Sequence, residues 1–177
     1  MLLGRQVGGV TILAMESQAT KLLFVCLGNI CRSPTGEGVM RQLVVANGVE
    51  DRILIDSAGT GSWHVGHSPD ERSVAAAAAR GITIGGSARQ VTSHDFQQFD
   101  LLLAADRYNL RDLAAIAPSD EDEAKVRMLR EFDPMSTPDD LDVPDPYYGG
   151  ASGFDDVIDL VEAACQGLLD SALAGRL

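Results

Sequence analysis

The chain has few cysteines: three in 177 residues, at positions 26, 31 and 165. So sparse and odd a set excludes the disulfide framework of a small secreted domain and suits a reducing compartment, so the expected location is the cytoplasm. Basic residues are also scarce. There are 14 Lys and Arg against 26 Asp and Glu, for a net charge of −12. That balance excludes a surface built for nucleic acid or for an anionic membrane, both of which need cationic side chains. No apolar run approaches the ~20 residues needed to span a bilayer. Neither a Gly-Lys-Ser/Thr ending nor a GxGxxG after a strand is present, which sets a nucleotide-binding protein aside. Aromatic residues make up only 5%, with Trp63 the single tryptophan. No repeat and no shift in composition marks a second domain.

What remains is a chain of one-domain size, with 45% hydrophobic residues, enough for a sizeable core. Residues 1–20 read as a disordered tail, or as an upstream start with Met15 as the working start; the domain spans 21–177. Its organising stretch is Lys21 to Pro34, KLLFVCLGNICRSP. Leu22 to Val25 has the length of a buried strand. Ser33 and Pro34 read as an N-cap and a first helical residue. Between them lies a tight loop: Cys26, Leu27, Gly28, Asn29, Ile30, Cys31 and Arg32. A strand, a tight loop and a helix start aim backbone N–H groups at one point, with the positive end of a helix dipole behind them, which makes an anion site.

Further elements follow in order. A helix is expected over Pro34 to Asn47, despite Gly36 and Gly38, whose retention suggests a close backbone approach. A strand follows at Ile53 to Ser57, then a glycine-rich loop from Ala58 to His67 carrying Trp63 beside His64. A helix opened by Ser68, Pro69, Asp70 and Glu71 runs through an alanine block suited to packing on a sheet, and ends at Arg80 before Gly81. A short strand is expected near Ala88 to Val91, an interior strand at Phe99 to Ala105, a helix at Asp106 to Ala117 and a last strand at Lys125 to Leu129. Phe132 to Tyr148 is a loop with Pro134, Pro138, Pro144 and Pro146, and loops of that length are usually functional or disordered. Gly153 to Ala174 is an amphipathic helix. Strands alternating with helices imply an α/β domain with a parallel sheet.

The chemistry centres on Cys26. A thiolate is the nucleophilic form of cysteine, and converging N–H groups, a helix N-terminus and Arg32 all favour it. Arg32 can grip two phosphate oxygens at once, the oxygens over which a metaphosphate-like transition state spreads its charge. Gly28 and Asn29 tolerate the left-handed backbone such a cradle needs, and Ser33 can add a hydroxyl hydrogen bond. Cys-x5-Arg alone recurs by chance; the strand before it and the Ser-Pro after it make it specific. A leaving phenoxide needs a proton, and Asp145, stiffened between Pro144 and Pro146, can supply it. Tyr147 and Tyr148 offer flat walls to an aromatic ring.

CLGNICRSP, DSAGT with a following Trp-His, and DPYYGG together resemble the low-molecular-weight protein tyrosine phosphatases, over about Lys21 to Leu169. That resemblance implies a four-stranded parallel twisted sheet with helices on both faces, and no cofactor and no metal. It implies a phosphocysteine intermediate on Cys26, transition-state stabilisation by Arg32, and proton transfer by Asp145. It gives Asn29, Ser33 and Ser57 to a supporting network, and Trp63, Tyr147 and Tyr148 to the substrate cleft. Cys31 would be a redox partner that forms a disulfide with Cys26 and protects it from overoxidation. The implied partner is a phosphotyrosine-containing protein or peptide, and a monomer is expected. One departure stands out. Family members often carry a His before the Ala-Arg that matches Ala88-Arg89, where it supports the loop asparagine. Gly85-Gly86-Ser87 stand there instead, so support for Asn29 is missing or comes from elsewhere.

Three other readings compete. An arsenate reductase of this fold needs two further cysteines in mid-chain, and none lies between Arg32 and Ala164. A protein arginine phosphatase tends to have Thr where Ile30 stands. A non-catalytic phosphate-binding module would not need both Cys26 and Asp145.

Overall fold

The computed structural model describes residues 19–150 and 152–177. The expectation for the tail therefore lies, over residues 1–18, outside the described residues. Four strands form one parallel sheet: β1 (Thr20–Cys26), β2 (Ile53–Gly59), β3 (Leu101–Ala104) and β4 (Val126–Met128), in the order β2-β1-β3-β4. Successive side chains of a strand face opposite sides, and β1 uses both. Leu22, Phe24 and Cys26 enter one core, with Val39, Met40 and Val44 of α1 (Arg32–Ala46) and Val157, Ile158, Val161 and Cys165 of α6 (Ser152–Leu173). Leu23 and Val25 enter the other, with Phe96, Leu102, Leu113 and Met128. That second core is covered by α3 (Asp95–Gln98) and α4 (Arg107–Ile116). The sheet with helices on both faces is as expected. Its chain order reverses between β1 and β3, and the crevice beyond their carboxyl ends is where sheets of this kind bind ligands.

The local differences have physical causes. Helix α1 begins at Arg32 with Cys31 at its N-cap position, and no side chain caps it. Ser33 is therefore not the cap; its hydroxyl turns inward to a different task. Ser68 is not a cap either. Asp70 is, its carboxylate accepting from the Arg72 amide at 2.9 Å at the head of α2 (Glu71–Ala79). Helix α2 packs against α6 rather than lying on the sheet, with Ala77 buried and Ala75, Ala78 and Ala79 exposed, and Arg80 just beyond it is ion-paired with Asp155, Asp159 and Glu162. Residues 88–91 form no strand, only a bridge between Gln90 and Gly59. Two four-residue elements gave no periodic signal: α3, and α5 (Asp120–Glu123), which Ser119 caps. Gly36 and Gly38 are kept for proximity. A Cβ on Gly36 would lie 2.5 Å from the Phe24 ring, and one on Gly38 would lie 2.7 Å from the Thr83 carbonyl oxygen. No element is regular from 133 to 150.

Candidate active site

Cys26 ends β1 and Arg32 begins α1, so the segment between them must reverse tightly. Asn29 takes the turn at φ +54°, a backbone that asparagine tolerates better than most residues. Four carbonyls around the turn are engaged with neighbours. Cys26 accepts from the Thr60 amide at 2.9 Å, Leu27 from Gly61 at 2.8 Å, and Ile30 from Asp70 at 2.8 Å; Cys31 accepts from the Thr35 hydroxyl at 2.8 Å. The amides of Leu27 to Cys31 donate to no other group among the described residues. Carbonyls held outward and amides left free make a concave anion-binding nest.

A chain of polar side chains fixes that nest from behind. The Asn29 amide donates to Ser33 Oγ and to Ser57 Oγ, both at 2.9 Å, and its oxygen accepts from the Arg89 backbone amide at 2.9 Å. Ser57 in turn donates to Glu37 at 2.7 Å. Arg89 is pinned by Asp56 at 2.8 Å and Asp95 at 3.0 Å. Support for Asn29 is thus complete without an imidazole. Ser33 Oγ donates to the Ala58 carbonyl at 3.1 Å and lies 3.1 Å from Cys26 Sγ. A hydroxyl has one proton, so with Cys26 as a thiolate that proton can turn from Ala58 to the sulfur.

Arg32 reaches out from the start of α1. It is 4% exposed; Nη1 donates to Asp106 at 2.5 Å and to the Val143 carbonyl at 3.1 Å, and Nη2 donates to Asp145 at 3.2 Å. Burial works against its charge, but Cys26, Asp106 and Asp145 outweigh this and raise its pKa. Asp106 is itself fixed as the N-cap of α4, accepting from the Asn109 amide at 2.7 Å. The Asp145 side chain is 40% exposed. Its other oxygen accepts from the Tyr147 amide at 3.1 Å. Burial pushes the Cys31 thiol up to about 12, well above the usual thiol range, so it is protonated at neutral pH. All three cysteines are free and buried.

These groups surround a cavity of about 350 Å³, lined by Cys26, Arg32 and Asp145 together with Trp63, Tyr147 and Tyr148. That volume suits a small aromatic ligand. The Trp63 side chain does not fold back onto the core. The residue is 72% exposed and its ring lies over Gly61. Leu27, Gly28, Ile30 and Cys31 also line the cavity, whereas Asn29, Ser33 and Ser57 stand behind the loop and never reach its surface.

The family model described as "Low molecular weight phosphotyrosine protein phosphatase" matches residues 21–176. The chain belongs to this family. The low molecular weight protein-tyrosine-phosphatase of Streptomyces coelicolor is 48% identical over 84% of this chain and 91% of its own length. The human low molecular weight phosphotyrosine protein phosphatase is 40% identical over 89% of this chain and 99% of its own. Among solved structures, a protein tyrosine phosphatase from Entamoeba histolytica aligns with a TM-score of 0.85 at 39% identity, covering 90% of this chain and 100% of that one.

In this low-molecular-weight phosphatase the structure adds site residues that the sequence reading did not single out. Asp106 grips Arg32; a Ser, Thr or Asp before a predicted helix was legible as a cap, but not as a partner of a residue so distant in sequence. Glu37 backs Ser57 from the exposed side of α1. His64 joins the cavity wall, tilted against Tyr147 with ring centroids 6.3 Å apart; its place next to Trp63 was the available signal. Among the described residues no group of His, Cys, Asp and Glu could hold a metal ion, and no helix is long and apolar enough to cross a membrane.

Proposed function

We propose that this chain hydrolyses phosphotyrosine in proteins or peptides, and small aryl phosphates, through a phosphocysteine intermediate. The observation that carries this reading is the meeting of Cys26, a nest of free amides, Arg32 and Asp145 in one cavity with aromatic walls. Cys26 Sγ, as thiolate, attacks phosphorus; the S–P bond forms and the P–O bond to the phenol breaks. Asp145 passes its proton to the departing oxygen. Its carboxylate then takes a proton from water, which attacks phosphorus and breaks the S–P bond, releasing phosphate and the thiolate. The loop amides and Arg32 stabilise the charge on the equatorial oxygens in both steps. Trp63, Tyr147 and Tyr148 hold the phenyl ring, which favours tyrosine over the shorter serine side chain. Three free thiols support a reducing compartment, and the relatives support a phosphotyrosine protein as partner.

Cys31 is proposed as the redox partner of Cys26: peroxide converts Cys26 to a sulfenic acid, and the Cys31 sulfur displaces its oxygen as water to form the disulfide. Peroxide-inactivated protein should recover with added thiol, and recovery should fail in Cys31→Ser. The function itself is tested by offering phosphotyrosine, phosphoserine, phosphoarginine and arsenate to the same preparation. Turnover should be confined to phosphotyrosine and aryl phosphates and vanish in Cys26→Ser, which should still bind phosphate. Preferred turnover of phosphoarginine or arsenate would replace the reading.

A further inference from the structure

The loop that carries Asp145 has no regular structure, yet it is tied to the phosphate loop through Asp70, the N-cap of α2, and Arg72 in its first turn. We propose that Asp70 and Arg72 form a strap in which Arg72 is a positioning residue, holding the Asp145 loop closed over the phosphate nest. The inference rests on the acid role given to Asp145 above.

Four contacts make the strap. The Asp70 backbone amide donates to the Ile30 carbonyl at 2.8 Å, fixing the head of α2 to the phosphate loop. The Asp70 carboxylate takes Arg72 in a fork, with Nε at 3.0 Å and Nη2 at 2.8 Å. The third guanidinium nitrogen, Nη1, donates to the Tyr147 carbonyl at 3.2 Å. The guanidinium plane also lies over two rings, Phe154 at 4.8 Å and Tyr147 at 5.4 Å from their centroids. Tyr147 carries the effect onward, since its amide holds Asp145 Oδ1 at 3.1 Å. A displacement of Tyr147 therefore moves the carboxyl that must meet the leaving oxygen.

The chemistry of Arg72 suits this task. Only a guanidinium can pair with a carboxylate through two nitrogens, give a third to a carbonyl, and lie flat on an aromatic face. The arrangement is anchored in its own ion pair: hydrogen bonding to Arg72 lowers the Asp70 pKa, and Asp70 raises that of Arg72. The charge of Arg72 is thereby engaged at the edge of the cleft, not aimed at the phosphate, and the residue is not among those that line the cavity.

The experiment compares kcat/KM for an activated aryl phosphate, p-nitrophenyl phosphate, with that for phenyl phosphate, whose leaving group needs a proton. Arg72→Met keeps the apolar stem and loses the fork. It should cost about 10-fold on phenyl phosphate and under about 2-fold on p-nitrophenyl phosphate, the size of a misplaced acid rather than a lost one. Inhibition by inorganic phosphate should stay within about 2-fold of wild type. Arg72→Lys, which keeps the charge without the fork, should recover only part of the loss, and Asp70→Asn, which keeps the helix cap, should lose in the same direction if Arg72→Met does not fold. Asp145→Asn serves as the reference. If it loses phenyl phosphate selectively while Arg72→Met and Asp70→Asn lose both substrates equally, or neither, the strap is wrong. If Asp145→Asn itself shows no dependence on the leaving group, the acid reading falls and the strap falls with it.

Discussion

The two loops that meet over the cavity are built on opposite plans. The phosphate loop, Cys26 to Ser33, is buried except for its rim. Four of its carbonyls are bonded away from the cavity, and the Asn29 side chain alone makes three hydrogen bonds. The acid loop, 133–150, is largely exposed. It is attached at separate points: the buried Val143, whose amide donates to the Ala105 carbonyl, Arg32 at Asp145 and the Val143 carbonyl, Arg130 at the Asp142 carbonyl, and Arg72 at the Tyr147 carbonyl. The first plan pre-sets donors where charge will develop, so no reorganisation is needed when it does. The second leaves room for a ring to enter and a phenol to leave. A perturbation of the first loop should therefore cost stability and activity together, whereas one in the second should cost activity alone.

The sharpest break of that contrast is Asn29→Ala. It removes the side chain that joins Ser33, Ser57 and Arg89, and it puts alanine at a positive φ. Leaving buried groups unpaired costs about 1–3 kcal/mol each, so a total near 2–4 kcal/mol is expected. Thermal unfolding should show a midpoint lower by roughly 5–10 °C, with activity down about 100-fold or more. Activity lost at unchanged stability would mean that the loop is not held from behind in this way.

Next comes Asp145→Asn. It should lose about 100-fold in kcat/KM on phenyl phosphate and far less on p-nitrophenyl phosphate, as removal of a general acid does. The midpoint of unfolding should hardly move, because the carboxyl is 40% exposed and is held by two hydrogen bonds rather than packed in the core. A large drop in stability would erase the distinction between the two loops.

Asp106→Asn tests the seam between them. Asp106 touches neither loop in sequence, yet it fixes Arg32 on one side and the head of α4 on the other. Asparagine can still cap the helix, so folding should survive. Loss of the charge should free the guanidinium to stay on Asp145, weakening phosphate inhibition and activity by about 10-fold each, as expected when one charged partner is removed from a buried pair. Unchanged inhibition by phosphate would show that Arg32 is aimed by its other contacts.

How much of this was legible in the sequence also divides by region. The turn from Cys26 to Arg32 could be read, because what defines it is local: an apolar strand, residue types for a tight turn, a cysteine and an arginine one loop apart. Asp145 could be read from its prolines and tyrosines only once the first loop was recognised. Ser33 was misread as a cap because its side chain answers to Asn29, Ala58 and Cys26 rather than to its own helix. Glu37, Asp106 and the Asp70–Arg72 pair were silent for a related reason. Their partners lie far along the chain, and an exposed charge on a helix looks the same whether or not a loop returns to meet it. The short elements α3 and α5 escaped because four residues are too few to carry a period.

The smallest effect sharpens the comparison through Cys31, which belongs to the phosphate loop and lines the cavity yet takes no part in the proposed hydrolysis. Its thiol titrates near 9.0 when exposed and is raised to about 12 in the fold, first by desolvation on burial. A group whose folded pKa is raised contributes its stability fully below the unfolded value and loses it as pH rises towards the folded one. Stability should thus be level with respect to Cys31 below about pH 9, then fall between about pH 9 and 12 by roughly 1.4 kcal/mol per pH unit. Cys165, fully buried and also shifted upward, adds a second contribution of the same sign. Denaturant melts at pH 8 and pH 10 should show the fall in wild type and a shallower one in Cys31→Ala, which also loses some packing but has no proton to release. An equal slope in the two proteins would mean that Cys31 is accessible to solvent, and that the phosphate loop is not held shut around it.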